Sequence, residues 1–169
     1  MRKQPWFILV NLSLSAANRA PVGSPAREAG YQDTEALLER YISLVPTLSE
    51  PHYVMADLYL ADNNLASSTA EAALGKRYYE PSLNTAIRAA QYYEQVKDWP
   101  DAQYFLTQVE QLGPTEYALI YDLAKVDYEL KDYVGALKVF SQLQAEDPSI
   151  IGTDPVFEQA VSSLQSSSR

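Results

Sequence analysis

The side chains able to carry out chemistry are few, and their spacing does not form a reactive set. His52 is the only histidine in the 169 residues, and Asp57 is the first carboxylate after it. A zinc site takes three or four ligands and a triad needs a nucleophile beside its histidine, so this pair supplies neither. The absence of cysteine also excludes disulfides, thiolate zinc sites and cysteine nucleophiles.

Other patterns match ligand-binding loops only in part. The acid-rich turns at 62–64 and 98–101 lack the central glycine and closing glutamate of a calcium loop. Gly75-Lys76 lacks the earlier glycine of a phosphate loop, and no serine lies in a nucleophile elbow. We therefore predict no catalytic residues, no metal and no cofactor, and a protein that is not an enzyme.

The charge of the chain restricts its partners. Asp and Glu number 22 against 13 Lys and Arg, which gives a formal net charge of −9. Binding a phosphate backbone requires basic side chains to neutralise it, so we predict no nucleic-acid partner. The length and the 47% hydrophobic content fit one compact domain or a short repeat array.

A 34-residue period organises these side chains into helices. Prolines mark one phase of the period: Pro46, Pro114 and Pro148, with Pro81 one residue late. Small residues occupy two further phases: Ala56, Ala90 and Ala124 at the first, and Ser68, Ala102 and Ala136 at the second. Small residues recur where two helices touch, and a period of this length is typical of a helix-turn-helix solenoid.

The apolar spacing divides the chain into segments. Full repeats are predicted at 49–82, 83–116 and 117–150, after a half repeat at 31–48, so that the array covers 31–150. Two prolines and two glycines predict a linker at 18–30. Asp154 and Pro155 predict the start of a cap helix at 154–165, with a polar outer face, and 166–169 is predicted to be a flexible tail.

The third repeat has the fullest motif. It places a leucine and a small residue on the first helix, an Asp-Tyr pair at the turn, a small residue and an aromatic on the second helix, and a final proline: Leu123, Ala124, Asp132, Tyr133, Ala136, Phe140 and Pro148. This order resembles the tetratricopeptide repeat family. Tyr59 and Tyr93 match the family's first-helix tyrosine, where the third repeat has Asp127 followed by Tyr128. The family's early tryptophan is replaced by His52, Ala86 and Ile120.

The resemblance implies an all-α fold, a right-handed superhelix of about three and a half helix pairs. In this family the first helices line a concave groove for a peptide or helix. Projected on that frame, nine residues become candidate groove contacts: Tyr53, Asp57, Leu60, Asn84, Gln91, Glu94, Tyr121, Lys125 and Tyr128. Tyr59, Tyr93 and Tyr133 lie at phases that pack helices together.

One familiar use of the family is disfavoured. The clamp that binds acidic chaperone tails needs Lys, Asn and Arg at set groove positions. This chain has Tyr53, Asp57, Arg88 and Asp122 near those positions, so we argue against such a clamp.

The N-terminal segment, 1–17, has three interpretations. Arg2 and Lys3 precede an apolar run, Trp6 to Val10, which is typical of an export signal and shorter than the roughly 20 apolar residues of a membrane span. The alternatives are a membrane anchor and a helix that docks on the array or on another copy. Membrane contact is expected only through this segment, and an exported or envelope location is favoured over a cytoplasmic one.

Three functions compete at this point. The first is a non-enzymatic scaffold that binds a protein or peptide segment in its groove. The second is a structural protein that self-assembles through its N-terminal segment or a repeat end. The third is the repeat tail of a membrane enzyme of glycan assembly.

Overall fold

The computed structural model describes residues 4–113, 117–146 and 155–167. Within these ranges the secondary structure is nine helices and no strand. They are α1 (Gln4–Arg19), α2 (Pro25–Leu44), α3 (Ser49–Ala61), α4 (Leu65–Arg77), α5 (Leu83–Gln95), α6 (Trp99–Leu112), α7 (Tyr117–Glu129), α8 (Tyr133–Glu146) and α9 (Pro155–Ser167). The predicted all-α fold is confirmed. Pro114, Pro148 and Asp154, three of the residues used to phase the repeats and the cap helix, lie outside the described ranges.

The chain divides into two compact units, Met1–Glu80 and Pro81–Arg169. In unit 1, α1 packs on α2, α2 on α3 and α3 on α4. In unit 2, each helix from α5 to α9 packs on the next, and α9 also contacts α7. Each unit therefore consists of consecutive helix pairs that bury their apolar faces against sequence neighbours.

The turns inside the helix pairs repeat at the same spacing as the sequence. In the described part of the chain, three non-glycine residues have left-handed backbone: Asn63, Lys97 and Lys131, with φ of 57°, 59° and 64°. In each case the next residue, Asn64, Asp98 or Asp132, accepts a hydrogen bond from the backbone N–H three residues on. These caps satisfy donors that the first turn of a helix leaves unpaired, and so they fix the start of α4, α6 and α8.

The left-handed turns predict a stabilising substitution. Lys97→Gly should raise the free energy of unfolding of unit 2 by up to about 1 kcal/mol, because glycine has no Cβ to clash at this φ. Lys97→Ala is the matched control, since it removes the same side chain but keeps the Cβ. Chemical denaturation measures both; equal stability of the two variants would contradict the backbone explanation.

The small residues lie where the helices of a pair cross. Ala56, Ala90 and Ala124 on the first helices, and Ser68, Ala102 and Ala136 on the second, have no exposed surface. In the first repeat the Ser68 hydroxyl donates to the Ala56 carbonyl oxygen at 2.8 Å. A buried hydroxyl needs such a partner, which explains how serine replaces alanine at this phase.

The N-terminal part of unit 1 corrects two predicted boundaries. The linker is not 18–30, because α1 continues to Arg19 and α2 already begins at Pro25, capped by Ser24. Proline is tolerated in the first turn of a helix, so it does not extend the loop. The prediction that 31–48 is only half a repeat, without a first helix, is also wrong, because α2 begins at Pro25 and packs on α1.

Glycine allows that partner to approach closely. A Cβ on Gly30, in the second turn of α2, would lie 2.7 Å from the Ala17 Cβ and 3.1 Å from its Cα. Nearby, Thr34 donates to Ser13 Oγ at 2.8 Å.

Helix α1 is buried on one side only: Val10 and Ala17 are buried, whereas Ile8, Leu9 and Leu12 are exposed. Among the described residues, no helix combines the length and apolarity needed to cross a membrane.

The C-terminal end of unit 2 also differs from prediction. Helix α9 continues to Ser167, so Ser166 and Ser167 are helical, and only 168–169 of the predicted tail lies outside the described ranges. Val156 and Phe157 of α9 pack on the core cluster of Ala124, Ala136, Phe140 and Leu143. The helix therefore joins the packed array of unit 2 on its apolar side.

Candidate functional site

A cavity of about 240 Å³ lies among the first helices of unit 2. Its walls come from the end of α5, the start of α6, the second half of α7 and the first half of α9: Glu94, Trp99, Lys125, Val126, Tyr128, Glu129, Val156 and Gln159. Three of the predicted groove residues, Glu94, Lys125 and Tyr128, are thus brought together. We call this the Glu94 cavity.

The helix pairing explains how these side chains meet. The left-handed turn at Lys97 reverses the chain after α5, which places Trp99, at the first position of α6, close to Glu94. Tyr128 is held from the other side, where its hydroxyl donates to Gln159 Oε1 at 3.3 Å. The tyrosine ring also lies 5.6 Å from that of Tyr133. Tyr128 is therefore held by its contact with Tyr133 and by a hydrogen bond to α9.

Glu94 is the chemically unusual member of the cavity. Its Oε1 is buried and has no hydrogen-bond partner in the described part of the chain. The pKa of Glu94 is raised to about 7, chiefly by burial and also by the negative charge of Asp122, whereas Lys125 opposes the rise. Burial dominates because a carboxylate loses water without gaining a donor in return.

Lys125 is engaged on its own helix. Its ammonium lies 3.3 Å from Asp122 Oδ1 and 5.5 Å from the centre of the Tyr121 ring. The Tyr121 ring in turn packs edge-on against Phe140, 5.8 Å away. Lys125 therefore shares its charge between a carboxylate and an aromatic face.

The raised pKa of Glu94 predicts a pH-dependent stability of unit 2. A carboxyl whose folded pKa, about 7, exceeds its ordinary 4.5 binds more protons when folded. Its stabilising contribution is complete below pH 4.5 and is lost as the pH rises to about 7. Glu94→Gln should therefore raise the melting temperature at pH 8 and reduce the fall in melting temperature between pH 5 and pH 8. If that fall is the same in Glu94→Gln and in the wild type, the assignment to Glu94 is wrong.

The matched control for that profile is Glu28→Gln. Glu28 is exposed on α2 in unit 1, and its replacement makes the same change in charge. We expect it to leave the slope of unit 2 unchanged. Burial also raises the pKa of Asp127, and the hydrogen bond that Gln103 donates to this carboxylate at 2.6 Å partly offsets the rise. The Glu94→Gln variant therefore removes only part of the total slope.

The remaining predicted groove residues of unit 2 lie around a second cavity or beside it. Gln91 is exposed and lines a cavity of about 240 Å³ between α5, α6 and α7, with Asp122 on the opposite wall. Asn84 is exposed near the start of α5, and Tyr121 is half-buried. The first helices of unit 2 thus border two depressions whose linings combine polar and apolar side chains.

In unit 1 the groove prediction needs a correction. Tyr53 is completely buried, and its ring fills the space over Gly75 of α4, so it belongs to the core and not to a binding surface. Asp57 and Leu60 are half-buried on α3. Of the three tyrosines predicted to pack helices, Tyr93 is buried and stacks on Phe105 at 5.6 Å, whereas Tyr59 and Tyr133 are half-buried.

His52 is a packing residue of unit 1. Its ring is 3% exposed, with Nδ1 2.7 Å from Glu71 Oε2 and Nε2 3.2 Å from the Pro46 carbonyl oxygen. These contacts tie α3 to α4 and to the preceding turn. Elsewhere in the described ranges, no three histidine, aspartate or glutamate side chains converge to hold a metal ion.

Five residues of the Glu94 cavity were missed from the sequence: Trp99, Val126, Glu129, Val156 and Gln159. The last two had a detectable signal, because Gln159 lies one 34-residue period after Lys125 and Val156 one period after Asp122. Treating α9 only as a cap stopped the projection one helix too early. Trp99 had been assigned to the turn and not to the groove.

Comparison with known families agrees with the repeat pattern. Residues 93–151 match the family model of the tetratricopeptide repeat. No curated protein matches the sequence. The resemblance predicted from the third repeat is therefore confirmed, and with it an all-α helical repeat fold.

Proposed function

We propose, from the match of residues 93–151 to the tetratricopeptide repeat model, that the chain is an interaction scaffold that binds a protein segment on unit 2. Stacked repeats of this kind form extended surfaces for protein partners. The binding surface is the one formed by α5, α7 and α9, and the observation that supports it most is the Glu94 cavity, which gathers Glu94, Lys125 and Tyr128. Gln91 and Tyr121 extend the surface along the same helices.

The composition of this surface fits recognition better than catalysis. It combines the aromatic side chains Trp99, Tyr121 and Tyr128 with the charged side chains Glu94, Lys125 and Glu129. Of these charged groups, Lys125 is held by Asp122 at 3.3 Å. Rigid aromatic residues with polar tips are enriched among the residues that dominate binding at protein interfaces. A general acid or base alone, without a partner nucleophile or ligand, does not form a catalytic set.

The test is site-specific crosslinking in the source cells. A photo-reactive amino acid at Gln91, exposed on α5, should form adducts with one partner, and mass spectrometry should locate the partner segment. The matched control position is Tyr104, which is 48% exposed on α6, outside the proposed surface. A synthetic peptide of the located segment should then bind the purified chain. Equal adducts from both positions, or a peptide that does not bind, would overturn the proposal.

The proposal includes an exported or envelope-associated location. This part rests on the basic and apolar pattern of residues 1–17 alone. The intact mass of the protein from separated cell fractions tests it: we expect the chain in the envelope or external fraction, and recovery from the cytoplasm alone would contradict the location.

Self-association is the second candidate, because α1 exposes neighbouring apolar side chains. Ile8, Leu9 and Leu12 are 54%, 49% and 62% exposed. Contact with another copy would remove this apolar area from water. Light scattering should then give a larger mass for the wild type than for Leu12→Glu, and a monomer at high concentration for both would exclude this function.

A further inference from the structure

The Glu94 cavity contains one acceptor that its own walls do not satisfy. Glu94 Oε1 is buried and receives no hydrogen bond from any described residue. Leaving such a group unpaired in the folded protein is unfavourable, and more so when it is charged. A ligand that donates a hydrogen bond to this oxygen would recover that energy.

The size of the cavity limits the ligand. Sites for drug-sized molecules usually enclose about 300–1,000 Å³. The Glu94 cavity, at about 240 Å³, is smaller. It fits one side chain of a bound protein segment better than a whole cofactor.

The charges around the cavity favour a cation. Glu94 and Glu129 line it, and Asp122 lies close enough to Glu94 to raise its pKa. The opposing charge is Lys125, whose ammonium is already 3.3 Å from Asp122. With a chain charge of −9, the local and overall potentials both attract positive groups.

The aromatic walls favour a planar cation. Trp99 and Tyr128 line the same cavity as Glu94. A guanidinium stacks on aromatic faces and donates two parallel hydrogen bonds to a carboxylate, which an ammonium cannot do. Val126 and Val156 supply apolar contacts for the methylene groups of a long side chain.

We propose that the Glu94 cavity binds an arginine side chain of the partner segment, with the guanidinium donating to Glu94 and stacking beside Trp99 and Tyr128. The inference rests on the proposed function, since it names the chemistry by which the unit 2 surface recognises its partner. Arginine binds the ionised form of Glu94. Proton release therefore accompanies binding when the pH is near the pKa of this carboxyl.

The experiment is an NMR titration of the full chain with a blocked arginine, Nα-acetyl-arginine N-methylamide. The neutral control ligand is the citrulline analogue, which keeps the shape and removes the charge. We expect saturable shifts of the Glu94, Tyr128 and Gln159 amides, with a Kd of about 1–10 mM at low salt. The citrulline analogue should produce no saturable shift.

Three variants sharpen the result. Glu94→Gln should abolish saturation, whereas Glu28→Gln, with the same charge change in unit 1, should leave the Kd unchanged. Lys125→Met should tighten binding roughly two- to fivefold, because it removes a like charge from the cavity wall. The Glu94→Gln spectrum before titration verifies that the variant is folded.

The pH dependence is the fourth measurement. Burial and the negative charge of Asp122, opposed by Lys125, bring the pKa of Glu94 to about 7, and Glu129 and Tyr128 also face the cavity. Binding should therefore weaken about tenfold from pH 8 to pH 6. Glu94→Gln should show no such trend. Linear shifts with blocked arginine, or equal binding of the citrulline analogue, would overturn the proposal.

Failure of this inference and failure of the proposed function are distinguishable. A crosslinked partner segment without arginine at the cavity would leave the scaffold function intact and exclude arginine recognition. Saturable arginine binding together with equal crosslinking from Gln91 and Tyr104 would exclude the proposed scaffold surface and leave arginine binding at the cavity intact.

Discussion

Phe140→Ala should lower the free energy of unfolding of unit 2 by about 3–5 kcal/mol, the usual cost of truncating a buried phenylalanine. The Phe140 ring has no exposed surface. It lies edge-on to the rings of Tyr121 on α7 and Phe157 on α9, at 5.8 Å and 5.6 Å. A single side chain of α8 thus holds together the two helices that form one side of the Glu94 cavity.

The same substitution should therefore weaken ligand binding without touching the ligand. Loss of the Phe157 contact loosens α9, which carries Val156 and Gln159 of the cavity wall. We expect the blocked-arginine titration to lose saturation in Phe140→Ala. Phe140→Leu, which keeps most of the volume, should retain saturation and cost less stability.

Stability is measured by urea unfolding in a Trp6→Phe background. The chain has two tryptophans, Trp6 in unit 1 and Trp99 in unit 2, so this background makes fluorescence report unit 2 alone. Tyr104→Ala, a truncation of an exposed aromatic on α6, is the surface control and should cost much less. A Phe140→Ala cost no larger than that of Tyr104→Ala would contradict the packing assignment.

Gly75→Ala should destabilise unit 1 by about 1–3 kcal/mol, although alanine is the better helix former. A Cβ at this position would lie 2.9–3.1 Å from three atoms of the Tyr53 ring. That ring is completely buried, so it cannot swing away into solvent. The clash therefore outweighs the gain in helix propensity of about 1 kcal/mol.

A double-mutant cycle isolates that contact. In a Tyr53→Leu background the clash is removed, so Gly75→Ala should now stabilise unit 1 by up to about 1 kcal/mol. Hydrogen exchange of the α3 and α4 backbone amides, followed as a function of urea, measures both effects. The same sign of effect in both backgrounds would exclude a steric coupling between Tyr53 and Gly75.

The repeat period predicted the helix pairs well because it depends on backbone and packing needs that every copy shares. The buried alanines at 56, 90 and 124 and the left-handed turns at 63, 97 and 131 all follow the 34-residue spacing. A turn that reverses the chain and a small residue where helices cross are required in each copy. Local pattern is therefore enough to locate them.

The groove residues were harder to predict because each repeat fills its core differently. Tyr53 shares its phase with Ile87 and Tyr121, and Gly75 shares its phase with Val109 and Leu143. Glycine in the first repeat leaves a space that Tyr53 occupies, so this tyrosine turns inward, whereas Tyr121 stays half-buried beside Leu143. Whether Tyr53 is buried depends on the size of the residue at position 75, so position 53 alone does not predict it.

The N-terminal boundary was missed for a related reason. Pro25 and Gly30 were assigned to a linker by type, but proline serves as the first-turn residue of α2 and glycine admits Ala17 of α1. Both roles depend on the neighbouring helix. Whether such a proline or glycine ends a helix or packs inside one is therefore decided by tertiary contacts, which the local sequence does not show.

The division into two units sets an order of events during synthesis. The helix contacts of unit 1 all close within Met1–Glu80, so none of them waits for a later part of the chain. Translation at about 5–20 residues per second leaves roughly 4–18 s while 81–169 is still being added. Helical hairpins form in far less time, so unit 1 can fold on the ribosome before the arginine-binding surface exists.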